Sequence, residues 1–314
     1  MPATFTALPA ITHTPSEGKT AMPLHYENLR NHAFPERTQA YTEKDVMLYA
    51  LGLGFGADPM DMKQLRFVYE KSLQVLPTMP VVMCHPGQWL KDPKFDVDWI
   101  KVVHGEQWMN AHKPLPPKGT VIVKMRNTAV IDKGEGKGAV VIQEREVLDQ
   151  TTGDLLATLG WLLFLRGDGG FLKLPHNAGA PVDKAPPSPP ALPERAPDAV
   201  CDIGTSEQQA LVYRLSGDMN PLHSDPEMAK AAGYPKPILH GLCTYGIAGH
   251  AILKSFCDYE ASRLGSLAVR FSAPVFPGET IRTDMWKSGN TVQFRSRLVE
   301  RDVVVLTNGV ATLK

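Results

Sequence analysis

The stretch SGDMNPLHSDP, residues 216–226, holds Asp218, Asn220 and His223 within six positions. A carboxylate and an imidazole at this spacing can hold one water molecule between them, with one group taking a proton and the other giving one. The imidazole suits this work because its unperturbed pKa of about 6.5 lies near neutral pH. Pro221 stiffens the loop between the two groups. The same residue types also build ordinary turns, so the bare pattern leaves a structural role open.

The composition is that of a globular protein and argues against several classes. In 314 residues, Lys+Arg and Asp+Glu balance at 33 each, so no basic excess indicates a nucleic-acid partner. The four cysteines form no C-x-x-C pair and the ten histidines show no H-E-x-x-H spacing. We therefore expect neither a disulfide framework nor a metal site.

The same sequence contains no signal for a membrane or an organelle. It has no run of 18 apolar residues, and MPATFTALPAITHTPSEGK at the N-terminus lacks the features of a signal peptide. The last residues, VATLK, contain no tripeptide of the S-K-L type. We expect a cytoplasmic protein without membrane contact.

A proline-rich run divides the chain into two halves of similar length. LPHNAGAPVDKAPPSPPALPERAPDAV, from Leu174 to Val200, is too rich in proline for a packed core and favours extended chain. The sequence therefore predicts an N-terminal domain over residues 1–170, a linker over 171–200 and a C-terminal domain over 201–314.

Three sequence marks recur in the same order in both halves and indicate a duplication. They are a Thr/Ser-Glu pair with a tyrosine seven positions after its first residue, a His-Gly pair, and a proline-rich turn. They begin at Thr42 and Ser206, at His104 and His240, and at Pro114 and Pro274.

Each half has the pattern of helices followed by an antiparallel sheet, which is an α+β fold class. In the second half, Ser206 could cap a helix that ends near Tyr213, and Pro226 could open a short helix that Gly233 closes. A longer helix begins near Gly241. Alternating apolar residues predict strands at 120–130, 138–149, 155–166, 280–286, 291–300 and 303–313.

The run YRLSGDMNPLHSDPEMAKAAGYPKPILHGLCTYG, from Tyr213 to Gly246, resembles the signature of the MaoC-like (R)-specific 2-enoyl-CoA hydratases. It is most similar to their hydratase 2 branch, as found in peroxisomal multifunctional enzyme type 2. The resemblance extends to LRFVYE at 65–70 and VHGEQWMNAHKPLP at 103–116. It implies a tandem double hot-dog fold, in which each half wraps an antiparallel sheet around a helix. It also implies reversible hydration of trans-2-enoyl-CoA to (3R)-3-hydroxyacyl-CoA in fatty acid metabolism.

The resemblance implies catalytic roles for three residues. Asp218 and His223 match the acid–base pair around the water molecule. Gly241, at the start of the predicted long helix, matches the position whose N–H stabilises negative charge on the thioester oxygen, where the helix dipole adds to the effect.

Three further residues are candidates for contact with the substrate. Asn220 could orient the loop or the bound thioester, and His240 could line the site or fix the start of the helix. Glu70 matches a family position for which a pocket or structural role is expected.

The resemblance also bears on cofactors and partners. CoA is part of the substrate, so no metal or redox cofactor is expected, and the family commonly forms homodimers. Cations that could bind the CoA phosphates are Lys230, Lys236, Arg263 and Arg270, and the sequence does not select among them.

When the two halves are aligned on Tyr49 and Tyr213, the first half lacks the acid–base pair, so we expect it to be non-catalytic. Gly54 falls at the position of Asp218 and Pro59 at that of His223, so no acid–base pair is present there. In the first half, the proline-rich turn follows only ten positions after His104, which leaves no room for a long helix. The resemblance implies that this half holds the acyl chain, and we expect a chain of medium to long length.

Three alternative functions stay open at this point. The first is a related hydratase or dehydratase that acts on a branched, dicarboxylic or steroid side-chain acyl-CoA. The second is a hot-dog thioesterase, and the third is a non-enzymatic acyl-CoA-binding protein.

Overall fold

The structure is a computed structural model that describes residues 24–314, and the strands of this part of the chain form one ten-stranded antiparallel sheet. The first half contributes five strands, β1 (Arg37–Tyr41), β2 (Val102–Ala111), β3 (Gly119–Asp132), β4 (Ala139–Asp149) and β5 (Leu155–Leu165). The second half contributes β6 (Ala199–Gly204), β7 (Leu264–Phe271), β8 (Thr280–Ser288), β9 (Thr291–Leu298) and β10 (Val304–Leu313). Residues 1–19, for which no signal peptide is expected, lie outside the described residues.

The strand order repeats between the two halves. It runs β1-β3-β4-β5-β2 across the first half and, read from the opposite edge, β6-β8-β9-β10-β7 across the second. The halves join where β2 pairs with β7, from Glu106 opposite Arg270 to Asn110 opposite Ser266. This order agrees with the duplication that the sequence marks indicate, and the α+β class is confirmed.

The helices differ greatly in length between the halves. They are α1 (Tyr26–Arg30), α2 (Glu43–Leu51), α3 (Met62–Leu65), α4 (Gln209–Tyr213), α5 (Pro226–Ala231) and α6 (Gly241–Phe256). The predicted lack of a long helix in the first half is confirmed over residues 24–170, where α2 is the longest with nine residues. None of the described helices is long and apolar enough to cross a membrane.

Helix α6 forms the centre of the main hydrophobic core. Its residues from Leu242 to Leu253 are all buried, and the core around them draws on both halves of the chain. The Tyr245 hydroxyl donates a hydrogen bond to the Leu267 carbonyl of β7 at 3.0 Å. Since an apolar helix of this kind is stable only when covered, the sheet and α6 depend on each other.

The first half packs against α6 through a glycine-rich loop. His250 of α6 stacks on Phe55 at 3.7 Å between ring centroids, and its Nδ1 lies 3.1 Å from the Leu53 carbonyl. The Cys243 thiol donates to the Gly52 carbonyl at 3.3 Å. The loop that corresponds to SGDMNPLHSDP in the first half therefore has a packing role.

All six strands predicted from alternation are present, but other expectations were wrong. His104 and Gly105 lie inside β2, whereas His240 and Gly241 start α6, so these His-Gly pairs are not equivalent. The two pairs differ because His104 and Gly105 belong to a strand that is hydrogen-bonded on both sides, to β5 and to β7. The helix expected from Ser206 begins at Gln209, because the Ser206 N–H and hydroxyl donate to the Gln209 side chain instead.

The predicted linker is only partly extended. Phe171 and Asn177 are buried against the first half, and Asn177 donates to the Leu24 and Phe171 carbonyls. No helix or strand occupies residues 178–198. The domain boundaries proposed above stay predictions.

Replacing Tyr245 by Phe tests the coupling of α6 to the sheet. The change removes one buried hydrogen bond at nearly constant volume, so the free energy of unfolding should fall by about 1 kcal/mol. Urea unfolding followed by circular dichroism measures this difference. Tyr69→Phe is the control, because Tyr69 is 46% exposed and should give no change. Equal losses in both variants would contradict the assignment.

Candidate active site

Asp218, Asn220 and His223 lie on a short loop between α4 and α5 that its own hydrogen bonds stiffen. The Asp218 carboxylate accepts from the Asn220 N–H at 3.1 Å, and the Asn220 side-chain oxygen accepts from the Leu222 N–H at 3.1 Å. This second bond caps the 3-10 turn Pro221–His223. Asn220 is exposed and acts here as the residue that shapes the loop.

The buried His223 is held in one tautomer. Its Nδ1 lies 2.8 Å from the Ile238 carbonyl, which can only accept, so Nδ1 carries the proton and Nε2 keeps its lone pair. Burial lowers the pKa of His223, while the Ile238 hydrogen bond and the charge of Asp218 oppose this effect. The imidazole is therefore neutral near pH 7 and can accept a proton at Nε2.

His240 joins the loop to the start of α6. Its Nε2–H donates to the Asp218 carbonyl at 3.1 Å, and its ring stacks on that of His223 at 3.7 Å between centroids. Burial, followed by the charge of His223, lowers the pKa of His240 to about 4. The Nδ1 of His240 is buried and has no hydrogen-bond partner among the described residues. His240 thus holds Asp218 through this hydrogen bond and His223 through ring stacking.

The side chains of Asp218, His223 and His240 lie close together but do not suit a metal ion. One oxygen of Asp218 and one nitrogen each of His223 and His240 lie within 4.8 Å of one another. The two imidazole planes are inclined by only 26°, so their in-plane lone pairs cannot meet at one ion about 2 Å from both nitrogens. A water molecule needs no such convergence.

Gly241 offers a backbone donor beside this cluster. It is the first residue of α6 and is exposed, and no acceptor for its N–H is found among residues 24–314. The His240 carbonyl accepts hydrogen bonds from the N–H groups of Cys243 and Thr244. A Cβ at Gly241 would lie 3.4 Å from the Phe271 ring, in ordinary van der Waals contact, so this ring lies beside the start of α6. The free N–H and the helix dipole together favour negative charge here.

Side chains of the first half, which the sequence reasoning missed, form the opposite wall. His104 packs edge-on against Phe271 at 5.1 Å and against Trp161 at 5.2 Å. Burial lowers the pKa of His85 to about 4 and that of His104 to about 3, and the charge of Asp218 acts against both shifts. Asp218 therefore faces histidines from both halves.

The structure brings together five of the six residues proposed from the sequence and leaves Glu70 apart. Glu70 is exposed in a bend after α3. Just before it, Arg66 pairs with Glu260 at 3.2 Å, beyond the C-terminal end of α6 and thus opposite to Gly241. No described contact joins Glu70 to the cluster, so its role stays a prediction.

A small pocket opens beside the loop. Its volume is about 130 Å³, which is less than a drug-sized ligand needs. Both halves line it, through Gln39, Ala40, Asp45, Leu48, Met79, Val82, Met83, Leu215, Ser216 and Gly217.

Comparison with known proteins identifies both halves. The sequence pattern of the MaoC like domain matches residues 189–309, and that of the MFE-2 hydratase 2 N-terminal domain matches residues 39–167. Together these matches cover most of the described chain and divide it close to the proline-rich run.

Full-length relatives and a solved structure agree with these matches. The chain is 41% identical to "Enoyl-CoA hydratase 2, peroxisomal" of Arabidopsis thaliana over 89% of this chain and 92% of that protein. It is 38% identical to "Peroxisomal multifunctional enzyme type 2" of Mus musculus, over 90% of this chain but only 38% of that longer protein. The crystal structure of a MaoC-like dehydratase from Phytophthora capsici superposes with a TM-score of 0.77 and 34% identity, covering 92% of this chain and 98% of that one. The tandem hot-dog architecture is therefore confirmed.

The buried histidines predict how stability depends on pH. A histidine whose pKa is lower when folded binds more protons when unfolded, so its contribution is complete above about pH 6.5 and is lost as pH falls. For His240 the window runs from about pH 6.5 to about 4. We expect a smaller loss of unfolding free energy across this window in His240→Asn than in the wild type. Urea unfolding at both pH values, referenced to pH 8, measures it, and equal losses would refute the assignment.

Proposed function

The chain belongs to the hydratase 2 branch of the MaoC-like family, and from this premise we propose that it hydrates trans-2-enoyl-CoA reversibly to (3R)-3-hydroxyacyl-CoA. It is thus a hydro-lyase of fatty acid β-oxidation, as the names of its relatives support. One observation carries the proposal: a carboxylate oxygen of Asp218 and one ring nitrogen each of His223 and His240 lie within 4.8 Å of one another, and His240 directly precedes Gly241, whose N–H has no acceptor among residues 24–314.

The acid–base pair handles the two protons of the reaction. A water molecule between Asp218 and His223 donates one proton to the pair as its oxygen forms a bond to C3. The pair delivers one proton to C2, so the enzyme ends the cycle in its starting protonation state. The neutral Nε2 of His223 can accept at once, because Nδ1 is committed to the Ile238 carbonyl.

The start of α6 stabilises the charge that this addition creates. As the bond to C3 forms, negative charge moves onto the thioester oxygen. The Gly241 N–H, at the positive end of a sixteen-residue helix, is preorganised to donate to it. Because no group among residues 24–314 accepts from this amide, no hydrogen bond within the described part of the protein must break before it acts.

The first half contributes a binding wall and no second reaction centre. At the positions that correspond to the acid–base pair it has Gly54 and Pro59, in a segment whose neighbours pack on α6. We propose that this half receives the acyl chain, since the part of its sheet near Trp161 is covered by short turns and loops instead of a long helix.

The proposal extends to cofactors, partners and location. The reaction needs no metal or redox cofactor, because the CoA thioester activates its own double bond. We propose a homodimer on the basis of the family. The cytoplasmic location expected above stays a prediction, and several relatives are named as peroxisomal.

Substitution of the acid–base pair tests the activity. Loss of the conjugated-thioester absorbance of trans-2-decenoyl-CoA should be rapid with the wild type. It should fall by about 100-fold or more in Asp218→Asn and in His223→Ala. Asp225→Asn is the matched control in the same segment, because Asp225 only caps α5 and asparagine caps equally well.

Other outcomes of this assay would contradict the proposal in distinct ways. Release of free thiol would indicate a thioesterase. Tight binding of decenoyl-CoA without loss of absorbance, repeated with branched and steroid side-chain thioesters, would indicate an acyl-CoA-binding protein.

The lowered pKa of His223 predicts the acid side of the pH–rate profile. Protonation removes the lone pair of Nε2, so kcat/KM should be constant through neutral pH and fall only below about pH 6.5. Initial rates with decenoyl-CoA between pH 4.5 and 8, with tryptophan fluorescence to verify folding, measure the profile. A decline that already begins between pH 8 and 7 would be inconsistent with this role.

A further inference from the structure

The inner face of the first-half sheet carries buried polar side chains where a fatty-acyl pocket would be expected to be apolar. Gln143 of β4 lies opposite Trp161 of β5, which in turn lies opposite Gln107 of β2. Arg145 follows two residues after Gln143 and therefore points to the same face. These four residues, named here the polar row, are all at most 4% exposed.

The polar row has hydrogen-bonding capacity that the described part of the chain does not meet. The side-chain oxygens of Gln107 and Gln143, the Nε of Arg145 and the indole Nε1 of Trp161 are buried and have no partner there. Native proteins pair most buried polar groups, so four unpaired atoms on one patch of sheet require an explanation. A ligand carboxylate would pair with the two donors, Arg145 Nε and Trp161 Nε1, and a water molecule bound beside it could donate to the two glutamine oxygens.

Arg145 gives the polar row a positive charge without a counter-ion. Among residues 24–314 no carboxylate forms an ion pair with it. Burial lowers its pKa to about 10, so it still carries its charge at neutral pH. A buried cation without an anion is unfavourable, and pairing with a carboxylate relieves this.

A purely structural role explains Arg145 poorly. Its terminal nitrogens lie 3.5 Å from the Met83 carbonyl and 3.4 Å from the Val81 carbonyl, which is long for hydrogen bonds. Its guanidinium also stacks over Trp161 at 4.6 Å. These contacts hold the side chain in place but leave its Nε and the indole N–H of Trp161 free.

The polar row lies within reach of the reaction centre. The Phe271 ring lies beside Gly241, and the His104 ring lies 5.1 Å from that of Phe271. The Trp161 ring lies 5.2 Å from that of His104, and the Arg145 guanidinium lies 4.6 Å from the Trp161 ring. An acyl chain whose thioester carbonyl lies at Gly241 would have to pass along these packed side chains. Its far end would then meet the cation.

We propose that the first half binds an enoyl-CoA whose acyl chain ends in a carboxylate, which pairs with Arg145 and accepts from the indole N–H of Trp161. This inference rests on the proposed hydratase function and names its substrate class. The two glutamine oxygens would hold water or a hydroxyl group beside the carboxylate.

Matched substrate pairs test the proposal. The kcat/KM values of trans-2-enoyl-CoAs of six, eight and ten carbons are compared with those of their ω-carboxy counterparts. The wild type should prefer the carboxylate at one length by at least about 10-fold, and Arg145→Met should lower this preference by about 30-fold or more. Arg145→Lys, which keeps the charge, should lower it less. The ω-amide analogue separates charge from hydrogen bonding, and it should not be preferred.

The possible failures are distinguishable. A wild type that hydrates no substrate of either series overturns the hydratase proposal and this inference with it. A wild type that hydrates the plain chains and rejects every ω-carboxy chain overturns this inference alone. An unchanged preference in a folded Arg145→Met does the same. If Arg145→Met does not fold, the wild-type preference and the effect of Trp161→Phe decide the question. Because Trp161→Phe removes part of the ring as well as the indole N–H, only a larger loss of kcat/KM for the ω-carboxy chain than for the plain chain of the same length supports the proposal.

Discussion

Burial of α6 along its length, with its N-terminus left open, is the constraint on which the structure depends. The helix is too apolar to be stable alone, so strands of the second half and the glycine-rich loop of the first half must cover it. That packing fixes the direction of its dipole and places the Gly241 N–H at a defined point. Because His240 precedes Gly241 and donates to the Asp218 carbonyl, the same helix also fixes the loop with the acid–base pair. Helix and reaction centre are thus one mechanical unit.

The two halves share a strand order but use the segment between their first and second strands differently. In the second half this segment supplies the loop of Asp218 and the whole of α6. In the first half it is divided into α2, α3 and short turns, and its glycine-rich loop packs on the α6 of the other half. Both halves therefore pack on the same helix. Part of the first-half sheet is covered by short turns, which fill less space than a helix would.

Much of the site could be predicted from the sequence because its parts are local. Asp218, His223 and Gly241 lie within one continuous run, and a strand such as β9 shows its alternation directly. Relations between the halves could not be predicted in this way. The central position of β2 depends on its pairing with β7, more than 150 residues away. A His-Gly pair carries no information about whether it lies in a strand or at the start of a helix, which is why the equivalence drawn from His104 was wrong.

Arg145 also shows what cannot be predicted from the sequence alone. Its alternation with Val141 and Val147 places it on their face of β4, and both valines are buried in the structure, but Arg145 was not among the residues singled out from the sequence. Sequence alone could not tell whether a carboxylate from elsewhere in the fold would meet it. Parity is a local property, whereas the lack of a partner depends on every segment packed above the strand. A buried charge without an ion-pair partner among residues 24–314 is therefore information that only the folded chain contains.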